Sequence, residues 1–307
     1  MAAVNTAWDQ VSSNIFKTWL IMILFTLFVV GVVYVLARGF GFGEVGGIGV
    51  VGFALVVTGI MNVVSYYFSD KIVLGISGAK ELKHDSSKEI YHLVENLCIA
   101  GGLPVPKIYT IDDSAPNAFA TGRDPKHAAI ALTTGILDKL NKQELGGVIA
   151  HELSHVGNRD TLLMAVVAIL VGTVALLSDW FLRSMWFGGG DDDNKGSAIF
   201  VVLALVAAIL APIIATLIQL AISRRREFLA DASGVLLTRY PQGLESALLK
   251  ISSDQEPLEV ANRGTAHMYI VNPLKGQSAA RSFANLFNTH PSVQERVKAL
   301  HEMEGKI

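Results

Sequence analysis

The chain has 307 residues, 51% of them hydrophobic and 17% charged, with a mean hydropathy of +0.44. Soluble domains carry roughly 25% charged residues, so this composition excludes disordered chains, coiled coils and most plain soluble enzymes. A net charge of −2 gives no argument for nucleic acid as a partner, and the single cysteine, Cys98, cannot form an internal disulfide. What remains is a membrane protein with a substantial water-facing part.

Four windows free of Asp, Glu, Lys and Arg place the expected spans: residues 18–37, 45–69, 161–178 and 196–223. At 1.5 Å per residue each covers a hydrocarbon layer of ~30 Å. The first has no polar face, so it is not a soluble amphipathic helix. It lacks a basic start and a small-residue cleavage site, and is therefore expected to stay as an anchor. The third is the shortest, with a buried core helix as its alternative. In the fourth, Pro212 is expected to introduce a kink. Arg224, Arg225 and Arg226 follow the fourth span, and Lys71, Lys80 and Lys83 follow the second, whereas the two intervening loops are poor in Lys and Arg. By the positive-inside rule both termini lie in the cytoplasm. The expected organisation is two N-terminal spans in 1–69, a cytoplasmic α+β part in 70–160, spans three and four with an outer loop in 161–223, and a second cytoplasmic part in 224–307.

Within 70–160, Ser86 and Glu89 have capping-box spacing, and Ile90, Leu93, Val94 and Leu97 form a helical stripe that ends at Gly101-Gly102. Strands are expected at 107–111, 117–121 and 127–133, the last two joined by the turn Gly122-Arg123-Asp124-Pro125. Asn141 caps a second helix whose buried side is Leu145, Val148, Ile149 and Leu153. Helical periodicity returns at 227–237 and at 291–304, with an irregular stretch at 252–282.

The second helix carries His151-Glu152-Leu153-Ser154-His155. Histidines at i and i+4 share a helix face, so both imidazoles can reach one Zn²⁺ at ~2.0–2.1 Å, with the intervening Glu152 free to accept a proton from water. The longer H-E-x-x-H-x-x-G-x-x-H motif would need glycine at Asn158 and histidine at Thr161, which excludes that class. A third ligand is expected at Glu227. His155 precedes the third span by six residues and Glu227 lies six beyond Ala221, near the end of the fourth, ~9 Å of helix in each case. If these spans are antiparallel neighbours, the two residues stand at one height. Asp231, one turn further, can accept the outer ring N–H of a ligating histidine, its alternative being a surface pair with Arg225 or a nearby lysine.

The HExxH motif, Glu227-x-x-x-Asp231, Asn117-Ala118-Phe119, His290-Pro291-Ser292 with Glu295-Arg296, and the four bracketing spans together resemble the HtpX family of membrane-bound zinc endopeptidases. The resemblance covers nearly the whole chain. It implies a gluzincin-like α+β catalytic domain facing the cytoplasm, in the cytoplasmic membrane of a prokaryote, that cleaves misfolded membrane proteins. One Zn²⁺ per chain would be held by His151, His155 and Glu227, with Glu152 as catalytic base. The same resemblance makes Asn117, Ala118 and Phe119 an edge strand that pairs with substrate backbone. It places His290 in the catalytic cleft as an oxyanion donor, with Arg296 as a second candidate for that role. The expected partners are membrane-protein substrates and the lipid bilayer; oligomeric state is not legible. Two other readings stay open: a non-enzymatic scaffold with a structural zinc site, and a metal transporter.

Overall fold

The computed structural model describes residues 7–39, 44–172, 224–261, 264–273 and 291–304. Two long helices open the chain, α1 (Ala7–Gly39) and α2 (Glu44–Ile76). Val11–Gly31 and Gly49–Ile76 within them are long and apolar enough to cross a membrane. Phe16, Leu27, Phe53, Val56 and Ile60 stand exposed on their outer faces, a continuous apolar surface of the kind that lipid covers. The two helices join through a bond from the Asn62 amide to Thr26 Oγ (2.8 Å) and a stacked Trp19–Tyr66 pair. The second helix runs on past Asp70 and Lys71, because Val73 and Leu74 there bury against the sheet.

A four-stranded mixed sheet follows: β1 (Lys80–Glu81), β2 (Lys107–Ile111), β3 (Ala118–Gly122) and β4 (Ala128–Thr133), in the order β1-β2-β4-β3. β2 and β4 run parallel, and the outer strands β1 and β3 are antiparallel to their neighbours. The three longer strands fall within a residue of their expected positions. Both faces of the sheet are covered. Ile108, Ala118, Ala120, Ile130 and Leu132 face one core, while Ile111, Phe119, Ala129 and Ala131 face another that includes Val73 and Leu74. A sheet buried on both sides has little use for polar residues, which is why Ala128–Thr133 is buried throughout.

The first core is completed by helices α3 (Lys88–Gly101), α5 (Lys142–Gly157), α7 (Arg224–Thr238), α8 (Pro241–Ser253) and α9 (Val293–His301), with the short α4 (Thr134–Lys139) between β4 and α5. α3 starts one residue later than its spacing suggests: its N-cap is Ser87, which makes no side-chain capping bond. Complete capping boxes occur instead at Asn141/Glu144 and Ser292/Glu295. α8 has no counterpart in the sequence reading, although Leu244, Ala247, Leu248 and Ile251 are its buried stripe.

The expected straight run from α5 into the third span is replaced by a corner. α5 and the next helix, α6 (Asp160–Gly172), meet at 84°, with Arg159 in the left-handed conformation (φ 60°) at the break. Leu162, Leu163, Val166 and Leu170 of α6 then pack on Ile21, Met22 and Phe25 of α1. The remainder of the third window, and the whole of the fourth with Pro212, lie outside the described residues.

Candidate metal centre

α5 and α7 approach closely because glycine stands at the crossing. A Cβ on Gly234 of α7 would lie 2.9 Å from the His151 backbone nitrogen, and one on Gly147 of α5 would lie 2.6 Å from the Leu244 nitrogen of α8. This contact brings Glu227 of α7 onto the face of α5 that carries both histidines. All three are buried, as is Glu152.

His151 Nε2 and His155 Nε2 lie 3.2 Å apart, and Glu227 Oε1 and Oε2 lie 3.5 Å from His155 Nε2 and 3.8 Å from His151 Nε2 respectively. Tetrahedral coordination at ~2.0–2.1 Å sets donor atoms ~3.3–3.4 Å apart, so the spacing fits a metal ion among the three. The outer ring nitrogens support the same fit. His151 Nδ1 donates to Asp231 Oδ1 (2.8 Å) and His155 Nδ1 to Asp160 Oδ2 (2.9 Å), which turns both Nε2 lone pairs inward. Asp231 is gripped in turn by Arg296, through Nε (2.8 Å) and Nη2 (2.6 Å), while Arg296 Nη1 donates to the Ile270 carbonyl (3.0 Å). Asp160 receives the Asn14 amide (2.6 Å) and lies 3.4 Å from Arg226 Nη1.

The surroundings set the charge of each group. Burial and the neighbouring Arg296 cation hold the His151 imidazole below its usual value. Burial also opposes the charged form of His155, but its bond to Asp160 and the Glu227 carboxylate prevail and push it up to about 9 in the metal-free site. Burial raises Glu152 to about 7, against the stabilising pull of His155 and of a hydrogen bond from the Ala120 N–H. A carboxyl poised near neutrality can both take up and give back a proton. Asp231 is held below the usual carboxylate range despite its burial, because Arg296 faces it. Cys98 lies elsewhere, in α3, buried and with its thiol raised to about 11.

The structure thus brings His151, Glu152, His155, Glu227 and Asp231 into one site. Asp160 and Asn14 have no counterpart in the sequence reading, since the corner between α5 and α6 is what returns Asp160 to His155. Arg296 packs against His151 and Asp231, and its Nη1 also stands 3.7 Å from Glu227 Oε2. Ala118 and Phe119 lie on the outer strand β3 and Asn117 directly precedes it, while Ala120 of the same strand is the residue that meets Glu152. The Asn117 amide donates to the Val271 carbonyl (3.0 Å), the Ala118 carbonyl accepts the Ile270 N–H (3.1 Å), and the Phe119 ring meets Tyr269 edge-on. His290 lies outside the described residues.

Residues 84–304 match the model of peptidase family M48. The chain belongs to that family. Among its M48 relatives are protease HtpX homologs of Dictyoglomus thermophilum, 43% identical over 97% of this chain and 95% of the relative, and of Pyrococcus furiosus, 43% identical over 94% and 95%. That of Syntrophobacter fumaroxidans is 47% identical over 85% and 92%. The crystal structure of S. mikatae Ste24p superimposes with a TM-score of 0.50 at 19% identity, covering 91% of this chain but 62% of that larger one; the likeness is one of fold. Of the readings left open by the sequence, M48 membership selects the protease, and with the two apolar helices it makes this a membrane metalloprotease.

Proposed function

We propose that the chain is a zinc-dependent endopeptidase anchored in the cytoplasmic membrane of a prokaryote by four spans. In this reading its catalytic parts, 70–160 and 224–307, face the cytoplasm and hydrolyse misfolded or damaged membrane proteins. The observation that carries the chemistry is the inward convergence of the two Nε2 atoms and the Glu227 carboxylate, each imidazole held from behind by its own acid. Three protein ligands leave a coordination position for water and substrate, the arrangement of catalytic zinc sites, whereas structural sites are closed by four.

His151, His155 and Glu227 would hold the ion. Zinc bound there would supply the Lewis acidity that activates water and polarises the scissile carbonyl. Glu152 takes the proton of the attacking water and passes it to the leaving amine. The outer strand β3, with Ala120 directed at Glu152, is the element along which an extended peptide would align; for Asn117, Ala118 and Phe119 to take part, the bonds of Asn117 and Ala118 to Val271 and Ile270 must first be given up. His290 is retained as a candidate oxyanion donor. The membrane-protein substrate class is supported by position: Asn14, within the candidate span Val11–Gly31, touches the corner that holds the site.

The test is Glu152→Gln in the full-length protein purified in detergent. It is expected to bind one zinc per chain and to lose proteolysis of an unfolded protein by about 10²–10⁴-fold. Undiminished cleavage would refute the assignment of the base. Substrate class is read separately, by offering membrane proteins with unfolded cytoplasmic ends beside soluble unfolded chains. Cutting of the soluble chains alone would refute that part.

A further inference from the structure

The Asn14 side chain belongs to α1, yet its partners are at the corner between α5 and α6. Its Nδ2 donates to the Asn158 carbonyl (2.9 Å) and to Asp160 Oδ1 (2.6 Å). Asn158 is the C-cap of α5, where helix carbonyls run out of intrahelical partners, and Asp160 is the first residue of α6. One amide therefore clamps both sides of an 84° break. Asn14 and Asp160 are each 1% exposed, so water does not replace this bond.

Asp160 in turn uses its other oxygen, Oδ2, on His155 Nδ1. A carboxylate that grips an imidazole fixes the ring only if it is itself fixed. Asn14 holds one oxygen of Asp160 so that the other stays on His155. The second grip on Oδ1, from Arg226, is longer at 3.4 Å. We infer that Asn14 of the first membrane helix is a positioning residue of the metal centre: acting through Asp160, it sets the orientation of His155, so that the anchor is part of the zinc site. This rests on the zinc-site reading above.

The experiment measures zinc affinity by competition with a chelator, using full-length protein in detergent. The variants are Asn14→Ala, Asp160→Asn, the double variant, and Asn62→Ala. The last removes a comparable amide bond between α1 and α2, to Thr26, remote from the site. Loss of a direct partner of a ligand costs 10–100-fold in affinity, and Asn14 stands one bond further out, so Asn14→Ala is expected to lose about three- to tenfold. Asn62→Ala is expected to bind zinc as the unaltered protein does. In the Asp160→Asn background, Asn14→Ala should add little, because the coupling runs through that carboxylate. Should Asn14→Ala not fold, Asn14→Ser, which keeps one donor, carries the same test with a smaller loss. Unchanged affinity in the Asn14 variants, an equal loss in Asn62→Ala, or full additivity with Asp160→Asn would overturn the inference. Absence of zinc from the unaltered protein would instead overturn the metal-centre reading itself.

Discussion

Two groups of side chains among the described residues place three ligand atoms close enough for a metal ion: His151, His155 and Glu227 in the interior, and Glu245, His301 and Glu304 near the surface. In the surface group, His301 is 70% exposed and its Nδ1 stands 3.9 and 3.6 Å from the two carboxylates. Its side chains pay rotamer entropy and compete with water, so their attraction is worth little. In the interior group every ligand is buried, and both imidazoles are fixed from behind by carboxylates that Arg296, Asn14 and Arg226 fix in turn. The contrast teaches that closeness of donors does not make a site. The second layer of bonds does.

Removing one carboxylate from each group should separate them most sharply. Glu227→Ala is expected to abolish stoichiometric zinc and proteolysis, and Glu245→Ala to change neither, as read by metal analysis and a cleavage assay. Equal losses would put the metal in the wrong place. A smaller contrast concerns two arginines. Arg296 is buried on Asp231, whereas Arg224 stands exposed 4.0 Å from Glu295. Arg296→Met strands a buried carboxylate, which typically costs ~3–5 kcal/mol, and should also weaken zinc binding by about 10–100-fold. Arg224→Met should cost less than ~1 kcal/mol. Melting curves and chelator competition read both.

The smallest effect tests the buried base. Its folded-state pKa of about 7 exceeds the ordinary glutamate value of 4.5. The penalty for ionising it is therefore absent below the lower value, grows between the two, and is complete above about 7. Glu152→Gln removes a cost on the order of 3 kcal/mol. The metal-free variant should melt several degrees above metal-free unaltered protein at pH 8, with the difference vanishing near pH 4.5. A difference independent of pH would contradict the burial of a titrating carboxyl.

The local parts of this site are legible in sequence. Helical spacing alone puts His151 and His155 on one face, and the one-turn interval from Glu227 to Asp231 turns both toward that pair, Glu227 to the inner nitrogens and Asp231 to the outer nitrogen of His151. The strands near 107–133 show themselves by their apolar content and by Gly122-Arg123-Asp124-Pro125. The height match that suggested Glu227 assumed a straight α5, however, and the chain instead turns at Asn158–Arg159. Glu227 reaches the histidines through the glycine-lined crossing of α5 and α7. Asp160 became a partner of His155 only because of that turn. Asn14 is 146 residues from Asp160, and Arg296 is 65 from Asp231; no periodicity records such pairs, since their contact is a product of the assembled fold. α8 is a different case: its buried stripe and Pro241 in the first turn were both readable.

The most direct measurement is zinc X-ray absorption spectroscopy on the purified full-length Glu152→Gln protein, which should not digest itself. The expected spectrum is one zinc per chain, with nitrogen and oxygen ligands only, two of them imidazoles at ~2.0–2.1 Å, and with loss of the metal when Glu227→Ala is added. A sulfur ligand, a single imidazole, or zinc retained without Glu227 would contradict the centre described here.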